Sequence, residues 1–405
     1  MSRIKGASLK VLLIPLTWAL AVLLGGCGSS TPVNGTGSGG SSQTSGQPGS
    51  GGATGSGGSA SSGGSGGSAA PKVSVAVVRS SKAQAADLTS ADIADLVSSA
   101  VSNAGGLDFI KDGQTVVLKP NLVTFYEDDG EHTASDMANG ISTDWRVVKA
   151  VADLVRAKDP TGKILIMEGS TFMTADVYPV LGYTPDHFGS SVDELIGLEG
   201  KSCDDRSTSG LEQRAARSGK MYWINSRYLA ADVVIAIPTM ATDAWAGIGG
   251  AVESLGIGAT PAGQYGDGTN SIDCTRTKID RSDPDARGAF IRDYYELRPA
   301  DFVIMDALQG LEHGPLPVWD DSGTYDYGSS TKNMRLVLAG RDAVAVDVIQ
   351  AAIMKCDPTR VPFLAKLQSD GVGTTDQARI DVVGERVADV QKAFAGKLTV
   401  ICPGE

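Results

Sequence analysis

The chain is poor in cysteine and histidine, and one long stretch carries no charge at all. Its 405 residues include 5 Cys and 3 His, and no two cysteines stand as Cys-x-x-Cys, which argues against zinc ribbons and iron–sulfur clusters. No Walker loop, nucleophile elbow, His-Glu-x-x-His or dinucleotide fingerprint is present to name a reaction. Ser170 follows Gly169 but lacks the flanking glycine pattern and an evident histidine partner. Positive charge is also scarce. Without Arg3, Lys5 and Lys10 of the N-terminal segment, the 35 basic residues fall to 32 against 47 acidic ones, a net charge of −15. Such a surface excludes nucleic acid as a partner and excludes docking on anionic lipid through a basic face.

What the N-terminus does contain is ordered. Arg3, Lys5 and Lys10 precede an apolar run from Val11 to Leu24, and Leu24-Gly25-Gly26-Cys27 follows. Basic, apolar and small residues in that order read as a secretion signal, too short for an ordinary membrane span. The last four residues resemble the lipobox of bacterial lipoproteins, in which the cysteine is lipidated and becomes the new N-terminus. Residues 1–27 are therefore expected to be a lipoprotein signal peptide, with Cys27 as the lipidation site and an N-terminal lipid anchor holding the chain to a membrane. A plain signal cleaved near Gly26 is the alternative. Gly28 in the next position resembles lipoproteins sent to the outer membrane of the bacterial cell envelope. No charged residue occurs between Lys10 and Lys72, and residues 28–70 are almost wholly Gly, Ser, Thr and Ala. That composition cannot bury enough apolar surface to offset its ordering entropy, so it reads as a disordered tether. Its ends would lie about 35–40 Å apart, from ~5–6 Å times the square root of its length.

Residues 71–405 read as an α/β domain, either one large unit or two joined lobes. Val73 to Val78, Thr115 to Leu118, Lys163 to Met167, Asp232 to Ile237, Asp301 to Met305 and Arg335 to Ala339 are short apolar strand candidates. Between them lie helical patterns. Ile93, Leu96, Val97, Ala100 and Val101 share one face after a cap at Thr89 or Ser90, and Trp145, Val148, Ala152 and Val155 share one after a cap at Thr143, with further helices near Ala343–Met354 and Val361–Gln368. Strands buried on both sides and alternating with amphipathic helices predict a mainly parallel sheet with helices on both faces. Ser202 to Lys220 and Ala262 to Arg287 are polar and patternless, and read as surface insertions near ligand-facing edges.

Four cysteines lie in this domain, and export permits disulfides in any of three complete pairings. Cys203 and Cys274, both in polar Asp/Arg-rich stretches, are the disulfide candidate. Cys356 and Cys402 are expected to be free buried thiols.

In open α/β sheets, ligands bind beyond the carboxyl ends of the strands. Those ends carry Lys119-Pro120-Asn121, Glu168-Gly169-Ser170, Pro238-Thr239 and Asp306, after which Glu312 and His313 sit in a glycine-punctuated turn. Lys119 and Asn121 are candidates to orient an anionic substrate, with His313 as an acid or base. Glu168, Asp306, Glu312 and Asp347 are candidate ligands for a divalent metal. Each has a plainer role too: a snorkelling lysine, a helix-capping glutamate, a hydrogen-bonding histidine. Asp342 reads as an N-cap. Asp347 shares a helical face with Val344, Val348 and Ala351, so its carboxylate must find a cation or donors within apolar packing.

These segments carry a resemblance. Lys119-Pro120-Asn121, Glu168-Gly169-Ser170, Ala231 to Pro238, Asp306 to Pro315, Asp342 to Asp347, Gly371-Val372-Gly373 and Val383-Gly384-Glu385 occur in the order seen in the domain-of-unknown-function 362 family. The resemblance covers nearly all of Val73 to Glu385 and implies a fold more readily than an activity. Members of that family are sometimes joined to ferredoxin-like iron–sulfur modules, and this chain lacks the cysteine run for one. Where many relatives look like Pro-Lys-x-Lys-Thr-His followed by Lys-Asn-x-x-Gly, this chain has Pro238-Thr239-Met240-Ala241-Thr242-Asp243 and Glu253-Ser254-Leu255-Gly256. An anion site built from those cations would be weakened here. Two functions follow as expectations: a metal-assisted enzyme acting on a small anionic substrate in the strand-end cleft, or a tethered, non-catalytic binder of a small molecule or metal.

Overall fold

The computed structural model describes residues 72–123, 140–267, 271–319 and 325–404, all within one compact unit, Gly67–Glu405. Cys27, the signal segment and the tether lie outside the described residues. Strands form where β-branched runs alternate between two apolar layers. Val117 joins one hydrophobic cluster, while its neighbours Val116 and Leu118 join the other. In chain order the elements that build the site are β1 (Val73–Arg79), α1 (Ser90–Asn103), β2 (Thr115–Pro120), α2 (Trp145–Lys158), β3 (Lys163–Glu168), β4 (Glu194–Gly197), β5 (Val233–Ile237), β6 (Thr239–Asp243) and β7 (Gly247–Gly249). There follow α3 (Ala251–Gly256), α4 (Pro284–Leu297), β8 (Phe302–Leu311), β9 (Thr331–Gly340), α5 (Ala343–Ile353), α6 (Pro362–Ser369) and β10 (Ile380–Gly384).

The ten-stranded sheet runs β10-β1-β9-β8-β5-β2-β3-β4, with β6 on β8 and β7 on β6. Strands β8, β5, β2, β3 and β4 are mutually parallel. The expected mainly parallel sheet is therefore present, interrupted where β9 pairs antiparallel with both β1 and β8 and where β7 pairs antiparallel with β6. Helices cover both faces: α1 and α2 pack on one, and α3, α4, α5 and α6 on the other. Among the described residues, no helix is long and apolar enough to cross a membrane.

Local signals hold at α1, where the Thr89 side chain accepts from the Asp92 N–H and a capping box closes, and at α5, where Asp342 accepts from the Ala345 N–H. At α2 the cap is Asp144, not Thr143. The Thr143 hydroxyl is used elsewhere, donating to the Ile237 carbonyl (2.7 Å) and accepting from the Asn121 N–H (2.9 Å). Thr143 thus ties β2 to β5 at their carboxyl ends.

Two disulfides are present. Cys203 bonds Cys274 and Cys356 bonds Cys402, with Cα separations of 4.5 and 4.3 Å. The second corrects the expectation of free thiols. Both of those cysteines are buried as expected, but the C-terminal turn brings Cys402 back against the end of α5, a contact across 46 residues.

Candidate functional site

The carboxyl ends of β2, β3 and β5 open into a cavity that encloses about 840 Å³, its open mouth included. Asn121 from the end of β2, Glu168 from the end of β3 and Thr239 from β6 contribute to its wall. The Asn121 side-chain amide donates to the Ile141 carbonyl (3.1 Å) and the Thr239 hydroxyl (3.2 Å), which holds the carboxamide at the cavity edge.

In that wall Glu168 forms a buried ion pair with Lys119, which is enclosed behind it, their side chains 2% and 0% exposed. The Lys119 ammonium also donates to the Pro120 carbonyl (2.9 Å), and Glu168 accepts from the Leu122 backbone. Burial lowers the Lys119 pKa and raises that of Glu168, and each partner works against the other's shift. Gly258 covers the lysine so closely that a Cβ there would sit 2.9 Å from Nζ. The strand that opens into Lys119-Pro120-Asn121 thus seals its lysine beneath the cleft floor and presents only the asparagine.

The other sequence candidates separate. Asp306 does not end a strand, because β8 continues to Leu311. Along β8, Val303, Met305 and Ala307 belong to one hydrophobic cluster and Ile304 and Leu308 to the other, so period-two alternation turns Asp306 away from the face that Lys119 shares with Val117. Its carboxylate accepts from the Asp144 N–H (2.8 Å) and the Leu308 N–H (3.0 Å). Burial, then nearby Asp144, push it up to about 7. Asp347 accepts from the first two amides of α3, Ala251 (2.7 Å) and Val252 (2.9 Å), so the donors that its apolar position required are the orphan N–H groups of a helix start. Burial pushes it, too, up to about 7. Glu312 pairs with Lys332 (2.8 Å) and accepts from the Ala395 N–H (3.0 Å). His313, at φ 61°, donates its backbone N–H to the Ala395 carbonyl (2.8 Å). Neither Glu312 nor His313 lines the cavity. The four carboxylates proposed as metal ligands therefore do not converge, and no cluster of three or more His, Cys, Asp or Glu in metal-holding geometry occurs among the described residues.

The stretch 262–287, which carries no pattern in the sequence, instead supplies part of the cavity wall. Arg276, Arg281 and Arg287 line it, together with Trp245, Asp243 and Glu253. Arg276 is buried and spends its guanidinium on the carbonyls of Ser170, Cys274 and Thr260 and on the Thr260 hydroxyl. The Cys203–Cys274 bond lies two residues from it. Asp243 accepts from the N–H groups of Trp245 (2.8 Å) and Ala246 (2.6 Å), turning the chain so that the indole enters the wall. Glu253, on α3 and 14% exposed, lies 3.9 Å from the Arg287 guanidinium. Its carboxyl is pushed up to about 8 by burial and then by Asp243, with Arg287 and Lys119 pulling it down. Four of the positions at which the chain departs from its resemblance, Thr239, Ala241, Asp243 and Glu253, line this cavity. Sequence reading placed residues 262–287 near a ligand-facing edge but singled out none of the arginines, since only their convergence distinguishes them from surface charge.

Chemically, the cavity offers guanidinium donors, one carboxyl that titrates near neutrality, amide and hydroxyl groups, and apolar surface from Val123, Ile141, Ile257 and Trp245. Comparison with known proteins found no curated protein that matches. Among solved structures, the lactate racemase apoprotein from Thermoanaerobacterium thermosaccharolyticum is similar at a TM-score of 0.36 and 13% identity, covering 62% of this chain. The chain spans about half of that protein's length, 52%. Residues 116–352 match the family described as Domain of unknown function (DUF362). The chain belongs to the DUF362 family.

Proposed function

We propose that this is an exported, lipid-anchored enzyme whose strand-end cleft takes a small anionic molecule and moves a proton on it, with Glu253 as acid or base. The observation that carries this reading is Glu253 itself, a carboxyl facing a cavity and titrating at about 8 beside an arginine. Perturbed carboxyls in clefts are poised for proton transfer at working pH. Asn121 and Thr239 supply hydrogen bonds to orient the substrate. Lys119 and Glu168 act from beneath, holding the ends of β2 and β3 together. Anchoring through Cys27 rests on the lipobox-like Leu24-Gly25-Gly26-Cys27. The scattered carboxylates support no metal set in this reading, and a divalent metal is kept as a probe.

A second reading, a tethered binder without turnover, is favoured by Lys119. Its ammonium is enclosed and already spent on Glu168 and Pro120, so the cleft lacks the free amine the sequence promised. A thermal-shift screen of metabolites and of Mg²⁺, Ca²⁺, Mn²⁺, Ni²⁺ and Zn²⁺ on the full chain decides first whether the cleft binds anything, because a ligand specific to the folded state raises the melting temperature. Turnover of a hit that disappears in Glu253→Gln but survives in Glu312→Ala selects the enzyme. Binding with no turnover selects the binder, and a screen without a single shift refutes both.

A further inference from the structure

We propose that Arg281 and Arg287, gathered at the Trp245 ring, form a carboxylate-binding site for a small organic monoacid. The inference rests on the reading of the cleft as a ligand site and names what it takes. Arg287 is the first observation: its side chain is only 5% exposed, it lines the cavity, and its Nε–H has no hydrogen-bond partner. Its remaining contacts are long, 3.5 Å from Nη1 to the Asp280 carbonyl and 3.9 Å from Nη2 to Glu253. A buried guanidinium left so poorly satisfied costs free energy unless an acceptor arrives.

Arg281 is the second observation. It has no hydrogen bond or ion pair to any described residue, and its guanidinium lies 4.6 Å from the centre of the Trp245 ring, with that of Arg287 5.6 Å from the same centre. The two cations repel each other yet converge on one indole. An anion between them would relieve that repulsion and could accept two parallel N–H bonds from a guanidinium fork.

The lining charge selects among anions. Asp243, Glu168 in its pair with Lys119, and Glu253 as it ionises near pH 8 stand against Arg276, Arg281 and Arg287 on the wall, so a singly charged carboxylate suits the cavity better than a doubly charged phosphate, which the acids would repel more strongly. Val123, Ile141 and Ile257 offer the rest of the ligand an apolar bed.

The test is calorimetric titration of the full chain with benzoate and butyrate, with their neutral amides benzamide and butyramide, and with inorganic phosphate, in the native protein and in Arg281→Met and Arg287→Met. The acids are expected to bind, the amides and phosphate to bind weakly or not at all, and each arginine replacement to cost roughly tenfold or more in affinity. Arg281 is exposed, so Arg281→Met reports even if Arg287→Met does not fold. Equal binding of acid and amide, or undiminished binding of acids in Arg281→Met, overturns the arginine site while leaving the cleft as a ligand site. Phosphate outcompeting both acids overturns the carboxylate assignment. No binding by any probe overturns it as well, and the broad metabolite and metal screen then judges the cleft separately.

Discussion

Replacing Lys119 with methionine keeps most of the side chain's bulk and removes its charge, leaving Glu168 inside the protein without its ammonium. The two side chains are almost fully enclosed. Breaking such a pair costs about 3–5 kcal/mol, because the surviving charge keeps its desolvation penalty and loses the compensation for it. That cost has a pH dependence whose sign can be worked out. Burial already raises the Glu168 carboxyl, and Lys119 is the largest influence holding it down. Without the lysine its folded-state pKa rises further above the unfolded value of 4.5, so the folded variant takes up a proton that the unfolded chain does not hold. Stability of Lys119→Met should therefore fall as pH rises, by up to about 1.4 kcal/mol per pH unit for one proton. The Lys119→Met/Glu168→Leu double variant removes both charges and should recover to within about 1 kcal/mol of the native protein, since apolar replacement of a buried pair is often neutral or better. Urea unfolding of the native protein, Lys119→Met, Glu168→Leu and the double variant at pH 5.5, 7 and 8.5, with both disulfides intact, measures this. A single-variant cost under about 1 kcal/mol with no pH slope, or a double variant less stable than either single, would refute the account of the pair.

Asp306 and Asp347, both held near 7, give the native protein a slope of the same sign. Each keeps its proton in the folded state to a higher pH than its unfolded value of 3.8 allows, so its contribution is lost as pH rises through about 7. Between pH 6 and 8.5 the loss is about 1.4 kcal/mol for each, most of it below pH 7.5, and Asp347→Asn should remove its share of the slope; a native stability that stays flat or climbs across that range contradicts the burial argument. Serine at both Cys203 and Cys274 releases the segment that carries Arg276 and should cost about 4 kcal/mol, the loop-closure value for a separation of 71 residues. Non-reducing peptide mapping should recover Cys203–Cys274 and Cys356–Cys402 as the linked pairs, and an alkylated Cys356 in unreduced protein contradicts the second.

Lys119 and Glu168 were legible as partners in one respect only. Both end apolar strands, and β2 and β3 turned out to be adjacent and parallel in a register that pairs Leu118 with Ile166. Asp306 resembles them in sequence, an acid after an apolar run, yet its strand continues and its side chain serves the opposite layer, where it supports the start of α2. The difference lies in where β8 stops. That is settled by its pairing with β9 and β6 rather than by any local signal. Asp347 was readable further: an acid on the apolar face of a helix demands donors, and the structure supplies them from the start of α3. Which donors they were depended on a contact across 96 residues.

Periodicity is a property of neighbouring residues, and from it the chain declares alternating strands and helices and a sheet covered on both faces, while residue type marks a cap at Thr89 or Ser90 and another at Asp342. Charge convergence is different in kind. Arg276 and Arg281 lie in a stretch without period and Arg287 at the start of α4, and only the packing of the segment beyond Ala262 against α3, together with a disulfide to Cys203, turns three charges unremarkable in the sequence into one cavity wall. The free energy that places them comes from burying residues far away in sequence, so no local window could have revealed that they meet.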